Sequence, residues 1–194
     1  MPWKKDFDTD VALGDAMRAF WSKGYEATSI TDLTKAMNIN KGSLYNAYGG
    51  KHELFLSAVS KYNRDNQQAT LRKLEQMDDP LDSITMLFEA LVAESLADDE
   101  KRGCFLVNTA LELPNHTEDV REIISQSFTD MEAFLERSIV AGQAKGSILA
   151  DLDPSETAKS LLSQIVGLRV LARGVFSHSS LNTIKKEAIA SIAA

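Results

Sequence analysis

A single cysteine, four prolines and ten glycines stand in a chain of 194 residues, and each scarcity removes a class of protein. One thiol forms no internal disulfide, which sets aside the disulfide-stapled secreted scaffolds and fits a reducing cytosol. So few prolines and glycines, with few β-branched runs, favour an all-helical chain. No apolar run is long enough to span a bilayer, and the opening residues MPWKKDFDTD contain no apolar signal core. Neither membrane insertion nor export is indicated, and a cytoplasmic location is expected. Only three histidines occur, His52, His116 and His178, without ligand spacing, so neither a metal site nor a cofactor is expected. There is no glycine-rich phosphate loop and no nucleophile elbow. The acidic runs Asp98-Asp99-Glu100 and Asp151-Leu152-Asp153 sit beside expected helix ends, where capping and solvation account for them. No catalytic residue is assigned.

What is present is enough apolar material, 44% of residues, to bury a substantial core. The net charge of −7 argues at first against nucleic acid, but it is unevenly spread. Residues 1–52 carry seven Lys/Arg and six Asp/Glu, whereas residues 53–194 carry fourteen and twenty-two. A near-neutral N-terminal segment on an acidic body is compatible with DNA binding through local basic groups and helix N-termini, with the body facing away from the DNA.

The most informative stretch is Thr28 to Lys51, TSITDLTKAMNINKGSLYNAYGGK. Ser29 and Asp32 have the spacing of a capping box, so a helix should start at Ser29 or one residue later. Ile30, Leu33, Ala36 and Met37 give it one apolar face. Asn38 tolerates the left-handed backbone that ends a helix. Asn40 is a good N-cap for a second helix from Lys41 to Tyr48, and Gly49-Gly50 ends it. Two short helices joined by a tight turn have the geometry of a helix-turn-helix, whose second helix lies in the DNA major groove.

These residues carry a resemblance. The run from Phe7 to Phe55 is similar to the N-terminal DNA-binding domain of TetR/AcrR-type transcriptional regulators. The matching positions include Ala16, Phe20, Gly24, Tyr25, Thr28, Ser29, Leu33, Ala36, Lys41, Gly42, Ser43, Leu44, Tyr45, Tyr48, Lys51 and Leu54. Three positions depart: Asn38 stands where glycine is usual, Ala47 where an aromatic or His is usual, and Gly50 where Ser or Asn is usual. The resemblance implies a helix-turn-helix domain over residues 1–52 and a larger helical effector-binding and dimerisation domain over residues 53–194.

Further along, helices are expected over about 9–23, 51–76, 81–97, 104–113, 117–143, 154–175 and 181–192. Met77 to Pro80 is a clear break, and Gly24, Pro114 and Pro154 punctuate other boundaries. Leu161-Leu162 and Ile165-Val166, with Gly167 allowing close approach, offer more apolar surface than one neighbour covers. In proteins the chain resembles, the final two helices pair with their copies, so a homodimer on a pseudo-palindromic double-stranded operator is expected. Burial inside a monomer is the alternative.

The expected DNA contacts are Thr28, Ser29, Lys41, Gly42, Ser43, Tyr45, Asn46 and Lys51. Lys41 suits guanine or phosphate, Asn46 adenine and Tyr45 phosphate, while Gly42 lets the backbone approach closely. Thr28 or Ser29 and Lys51 would clamp the backbone at two helix starts. Alternatively, Ser29 only caps and Tyr45 only packs. Lys4 and Lys5 are either a phosphate-reaching arm or a solvated tail.

Resemblance and apolarity together place a small-molecule effector among Phe88, Leu91, Cys104, Phe105, Asn108, Leu111, Phe128 and Met131. Cys104 follows Lys101 and Arg102 and opens an apolar helix, a setting that favours thiolate. It is therefore either a redox or electrophile reporter or a small apolar residue in the pocket wall. The expected function is a transcriptional regulator, most often a repressor, released by a small-molecule or redox signal. The alternative is a helical carrier or enzyme whose N-terminal segment is only structural.

Overall fold

The computed structural model describes residues 7–194, so Lys4 and Lys5 lie outside the described residues. Helix α1 (Thr9–Lys23) is capped by Asp8, whose carboxylate accepts from the Asp10 and Val11 amides. Gly24 ends it at φ 81°, a backbone conformation few other residues adopt. Helix α2 (Ile30–Ala36) opens on the expected capping box: Ser29 accepts from the Asp32 amide, and Asp32 accepts from the Ser29 amide. Asn38 takes the left-handed conformation at φ 51°. Asn40 then caps α3 (Lys41–Tyr48) through the Ser43 amide at 2.8 Å. Helix α4 (Lys51–Tyr62) has no side-chain cap, which follows from glycine at position 50.

The chain after α4 departs from expectation. The sequence predicts one helix to about Gln76, but Asn63–Gln68 is a π-helical stretch, and α5 runs only over Ala69–Leu74. The cause lies in NRDNQQ, six polar residues with no apolar anchor to hold the phase of the helix. Asn66 instead donates to the Tyr62 carbonyl, and Gln67 reaches the Ser127 carbonyl on a distant helix. The widened turn resets the apolar face, so Leu71 and Leu74 are buried against a different part of the molecule.

Next come α6 (Pro80–Ala97), α7 (Phe105–Leu111) and α8 (Glu118–Lys145). Cys104 precedes α7 as its N-cap residue instead of lying within it. Thr117 sits at the N-cap of α8 but makes no capping bond; its hydroxyl donates to Asp119. Helix α9 (Pro154–Leu171) is shorter than expected, because the chain turns through Ala172–Phe176 with Gly174 at φ 103°. Helix α10 (His178–Ala190) starts early on a Ser177 cap. The C-terminal residues pair with the loop after α8: Ile148 bridges Ala193, and the Leu149 amide donates to the Ile192 carbonyl. That loop packs only because position 142 is glycine, since a Cβ there would fall 2.5 Å from Ile148 Cδ1.

Two apolar cores result. One gathers α1 to α4 with Phe105 and Leu106 of α7 and Val120 and Ile124 at the start of α8. The other gathers α5, α6, α9 and α10 with Met131 to Ile139 of α8. Helix α8, about 42 Å long at 1.5 Å per residue, belongs to both. The fold is all-helical: an N-terminal helix-turn-helix followed by a larger helical region.

Candidate DNA interface and effector cavity

Helix α3 presents one face to its core and one to solvent, at the spacing helical periodicity dictates. Leu44 is fully buried, and Tyr48 donates its hydroxyl to the Thr9 carbonyl at 2.7 Å, tying α3 to α1. On the other side Lys41, Gly42, Tyr45 and Asn46 are exposed, with Tyr45 at 44%. Lys41 Nζ lies 5.9 Å from the Tyr45 ring centre, so cation and phenol share one patch. Ser43 is half-buried, with its amide committed to the Asn40 cap. Gly42 has the same cap beside it: a Cβ would sit 3.3 Å from the Asn40 side-chain oxygen.

The flanking residues divide. Lys51 reaches back over the Tyr25 ring, 4.4 Å from its centre, at the start of α4. Ser29 is exposed, with its hydroxyl engaged by Asp32. Asp32, also bonded by Lys23, is held far below the ordinary carboxylate range, chiefly by the Lys23 hydrogen bond and then by Ser29. Thr28 is a correction to the sequence reading. It is fully buried, and its hydroxyl donates to the Gly24 carbonyl at 2.6 Å, so its side chain shapes the turn and does not face outward.

A cavity of about 170 Å³ opens at the seam between the two cores. Four of the residues expected in a pocket line it: Leu91, Cys104, Phe128 and Met131. The other four lie elsewhere. Phe88 is buried in the second core and does not line the cavity. Phe105 packs into the aromatic cluster of the first core, 5.8 Å from Phe55 and 5.7 Å from Tyr62. Asn108 is bonded to the Arg102 carbonyl and to Arg173. Leu111 is 61% exposed at the end of α7.

The sequence reading missed Tyr62, Asn66 and Arg169, which also line this cavity. Asn66 belongs to the π-helical stretch, whose position no simple pattern announces. Arg169 could have been found, because it follows Leu161 and Ile165 at intervals of four and so falls on the buried face of α9. Cys104 has a different cationic neighbour from the one its sequence suggests. Arg102 pairs with Asp98 and Glu100 and lies over the Trp21 ring, so it is already engaged. The cation near the thiol is Arg169; burial works against its charge, but Cys104, Tyr62 and Glu94 outweigh this and raise its pKa. The Tyr62 phenol is also raised, first by its own burial.

A helix-turn-helix with an exposed basic and polar recognition face, followed by a cavity-bearing helical region, has clear counterparts. Residues 13–58 match the family model described as "Bacterial regulatory proteins, tetR family", and residues 80–182 match "Tetracyclin repressor-like, C-terminal domain". The chain belongs to the TetR family of transcriptional regulators. It is 30% identical to the HTH-type transcriptional regulator YezE of Bacillus subtilis over 87% of this chain and 88% of that protein. It is 29% identical to the HTH-type transcriptional repressor ComR of Escherichia coli over 87% of this chain and 81% of that one. Among solved structures, a cysteine mutant of the TetR-family regulator CifR in complex with 26-bp operator DNA is 29% identical. It covers 98% of this chain and 99% of its own, with a TM-score of 0.85. This TetR-family chain is therefore a DNA-binding transcriptional regulator; its fold and relatives are those of regulators and not of enzymes. Among the described residues no helix is long and apolar enough to cross a membrane, and no cluster of His, Cys, Asp and Glu could hold a metal ion.

Proposed function

We propose that this regulator is a cytoplasmic, homodimeric repressor that reads a pseudo-palindromic operator through α3 and is released by a small molecule. The observation that carries the reading is the exposed patch of Lys41, Gly42, Tyr45 and Asn46 on α3, opposite the buried Leu44. Ser43 and Ser29 stand at its edge, Lys51 would clamp phosphate from α4, and Thr28 acts by holding the turn. Residues 1–52 supply the reader and residues 53–194 the signal and the dimer.

Helices α9 and α10 are proposed as the dimer face, in a modified form. Leu161 and Ile165 are buried within their own chain, so the apolar surface left for a partner on α9 is that of the partly exposed Leu162, Val166, Gly167 and Val170. A Cβ at Gly167 would meet nothing within 4 Å, which leaves room for a second helix. The seam cavity, bounded by elements from α4 to α9, is the proposed effector site, because filling it would bias how the reader sits on the body. Reversing operator occupancy from 99:1 to 1:99 needs a preference between states of about 5.5 kcal/mol. Cys104 stands in the cavity wall, which favours a second, compatible reading in which an electrophile or oxidant reacting at this thiol supplies the signal.

The test is binding to DNA flanking the protein's own gene, followed by fluorescence anisotropy across a salt series, with Lys41→Ala and Tyr45→Ala alongside. The expected outcome is preference over random DNA, with steep salt dependence. Lys41→Ala should reduce the slope by about one unit, and Tyr45→Ala should weaken binding by about 1 kcal/mol or more. Unchanged affinity and slope in both variants would remove α3 from the interface.

A further inference from the structure

The cavity wall holds a cation that its aliphatic neighbours do not call for. The Arg169 side chain is only 7% exposed. Its Nη1 donates to the Leu91 carbonyl at 3.4 Å and the Ser95 hydroxyl at 3.3 Å, and its Nη2 donates to Glu94 at 3.1 Å. Nε is buried and has no partner among the described residues. Glu94 meets the guanidinium through one nitrogen and is itself 58% exposed, so it balances the charge from the solvent side. Beside Arg169 stands Tyr62, also buried, whose hydroxyl donates to Cys104 Sγ at 3.8 Å, a long bond to a weak acceptor. Two buried donors thus border one cavity without an oxygen acceptor. Leaving such a donor unpaired costs about 1–3 kcal/mol, and more when it is charged. A ligand that supplies the acceptor recovers that cost.

We infer that the seam cavity takes a small monocarboxylate, its acid group bonded to Arg169 Nε and the Tyr62 hydroxyl and its hydrocarbon body among Leu91, Phe128, Met131 and Ile165. The inference rests on the proposed role of the cavity as effector site and names the chemical class. Size follows from the volume: a cavity of about 150 Å³ holds benzene, and this one is about 170 Å³. A monoanion fits better than a phosphate, because Glu94 and Asp65 stand against Arg169 and Lys73 in the lining, so each further negative charge meets more repulsion. Asp65 itself is bonded to Lys61 and Arg64.

The test is calorimetric titration of the full chain with benzoate and hexanoate, against benzamide and hexanamide as neutral matches of the same shape. The acids are expected to bind at least tenfold more tightly than the amides. Arg169→Gln should weaken the acids by roughly ten- to a hundredfold and leave the amides unchanged, as expected for loss of a charge-assisted hydrogen bond. Tyr62→Phe keeps the ring and its packing, so it decides the matter if Arg169→Gln does not fold; it should weaken the acids several-fold. Acids and amides binding alike, or neither acid binding at millimolar concentration, would overturn the inference. So would a change in Arg169→Gln confined to the rate at which iodoacetamide labels Cys104, since the guanidinium would then serve the thiol. Operator binding by the same preparation separates the two claims. DNA binding without acid binding refutes the carboxylate alone, whereas acid binding without DNA binding refutes the operator reading alone.

Discussion

The two cores are built from different side chains and are finished to different degrees. In the first, Phe20, Tyr25, Phe55 and Phe105 meet in edge and stacked contacts, with Phe55 5.0 Å from Phe20 and 4.7 Å from Tyr25. The second is mainly leucine, isoleucine and alanine, with Phe88 and Phe134. Rigid rings fill the junction of α1, α4 and α7, and the Tyr48 hydroxyl bond to the Thr9 carbonyl ties α3 to α1. Where the second core meets the first, packing is left incomplete and the wall carries Arg169, Tyr62 and Cys104. The reader's junction is filled by rings, whereas the seam leaves space lined in part by polar groups that a ligand could engage.

The largest expected effect tests that contrast directly. Phe55→Ala removes a ring at the centre of four aromatic contacts and should cost about 3–5 kcal/mol. Leu91→Ala, at the cavity edge where the side chain already borders open space, should cost clearly less than the 2–5 kcal/mol typical of a filled core. Urea unfolding of both variants gives the comparison. Equal losses would mean that the seam is as tightly packed as the head.

A smaller effect reverses the direction of change. Ala16 is fully buried against the first core, and Ala16→Leu should overpack it at a cost of about 1–3 kcal/mol. Ala90 lines the cavity, so Ala90→Leu has somewhere to go and should be neutral or slightly stabilising. Thermal midpoints in the same buffer distinguish the two. If Ala90→Leu also blocks benzoate, the added methyl groups occupy the volume proposed for the ligand body.

How much of this was legible in the sequence differs between the same two regions. The reader follows from local rules: Ser29 with Asp32, Asn38 at a left-handed position and Asn40 with the Ser43 amide are each set by residues within a few positions. Thr28 was misplaced because its burial depends on the Gly24 carbonyl and the packing of α1, which a polar residue before a helix does not reveal. The cavity is assembled from elements spread over α4 to α9, and no local rule states which faces of distant helices meet. Resemblance and apolarity therefore select Phe88 and Phe105, which fill cores, along with Leu91, Phe128 and Met131, which border space. The helix break at Asn63–Gln68 escaped for a related reason: helix propensity is weak evidence where the helix must accommodate an outside contact, here Gln67 with Ser127.

The smallest expected effect concerns acid. His116 is 7% exposed, its ring stacked on Phe55 at 5.3 Å and lying 5.6 Å from Tyr25. Burial lowers its pKa below the ordinary histidine value; Arg121 and His52 push the same way, and Glu112 and Glu26 oppose them. Because the folded chain binds this proton less well than the unfolded chain, its stability is whole above the ordinary histidine range. It is lost as pH falls through that range toward the folded value. One proton limits the slope to about 1.4 kcal/mol per pH unit. Asp119, which faces His52, is held down to about 2, first by Thr117 and then by His52, so it stays charged throughout this window and adds nothing to the slope. Urea unfolding between pH 7.5 and 5.5 should show declining stability in the wild type and a flatter profile in His116→Phe, which keeps the stack and removes the titration. A His52→Gln control isolates the second histidine on the same side of the core. Matching slopes in wild type and His116→Phe would place the acid sensitivity outside the aromatic core, and the contrast between a head closed to protons and a seam open to anions would lose its support.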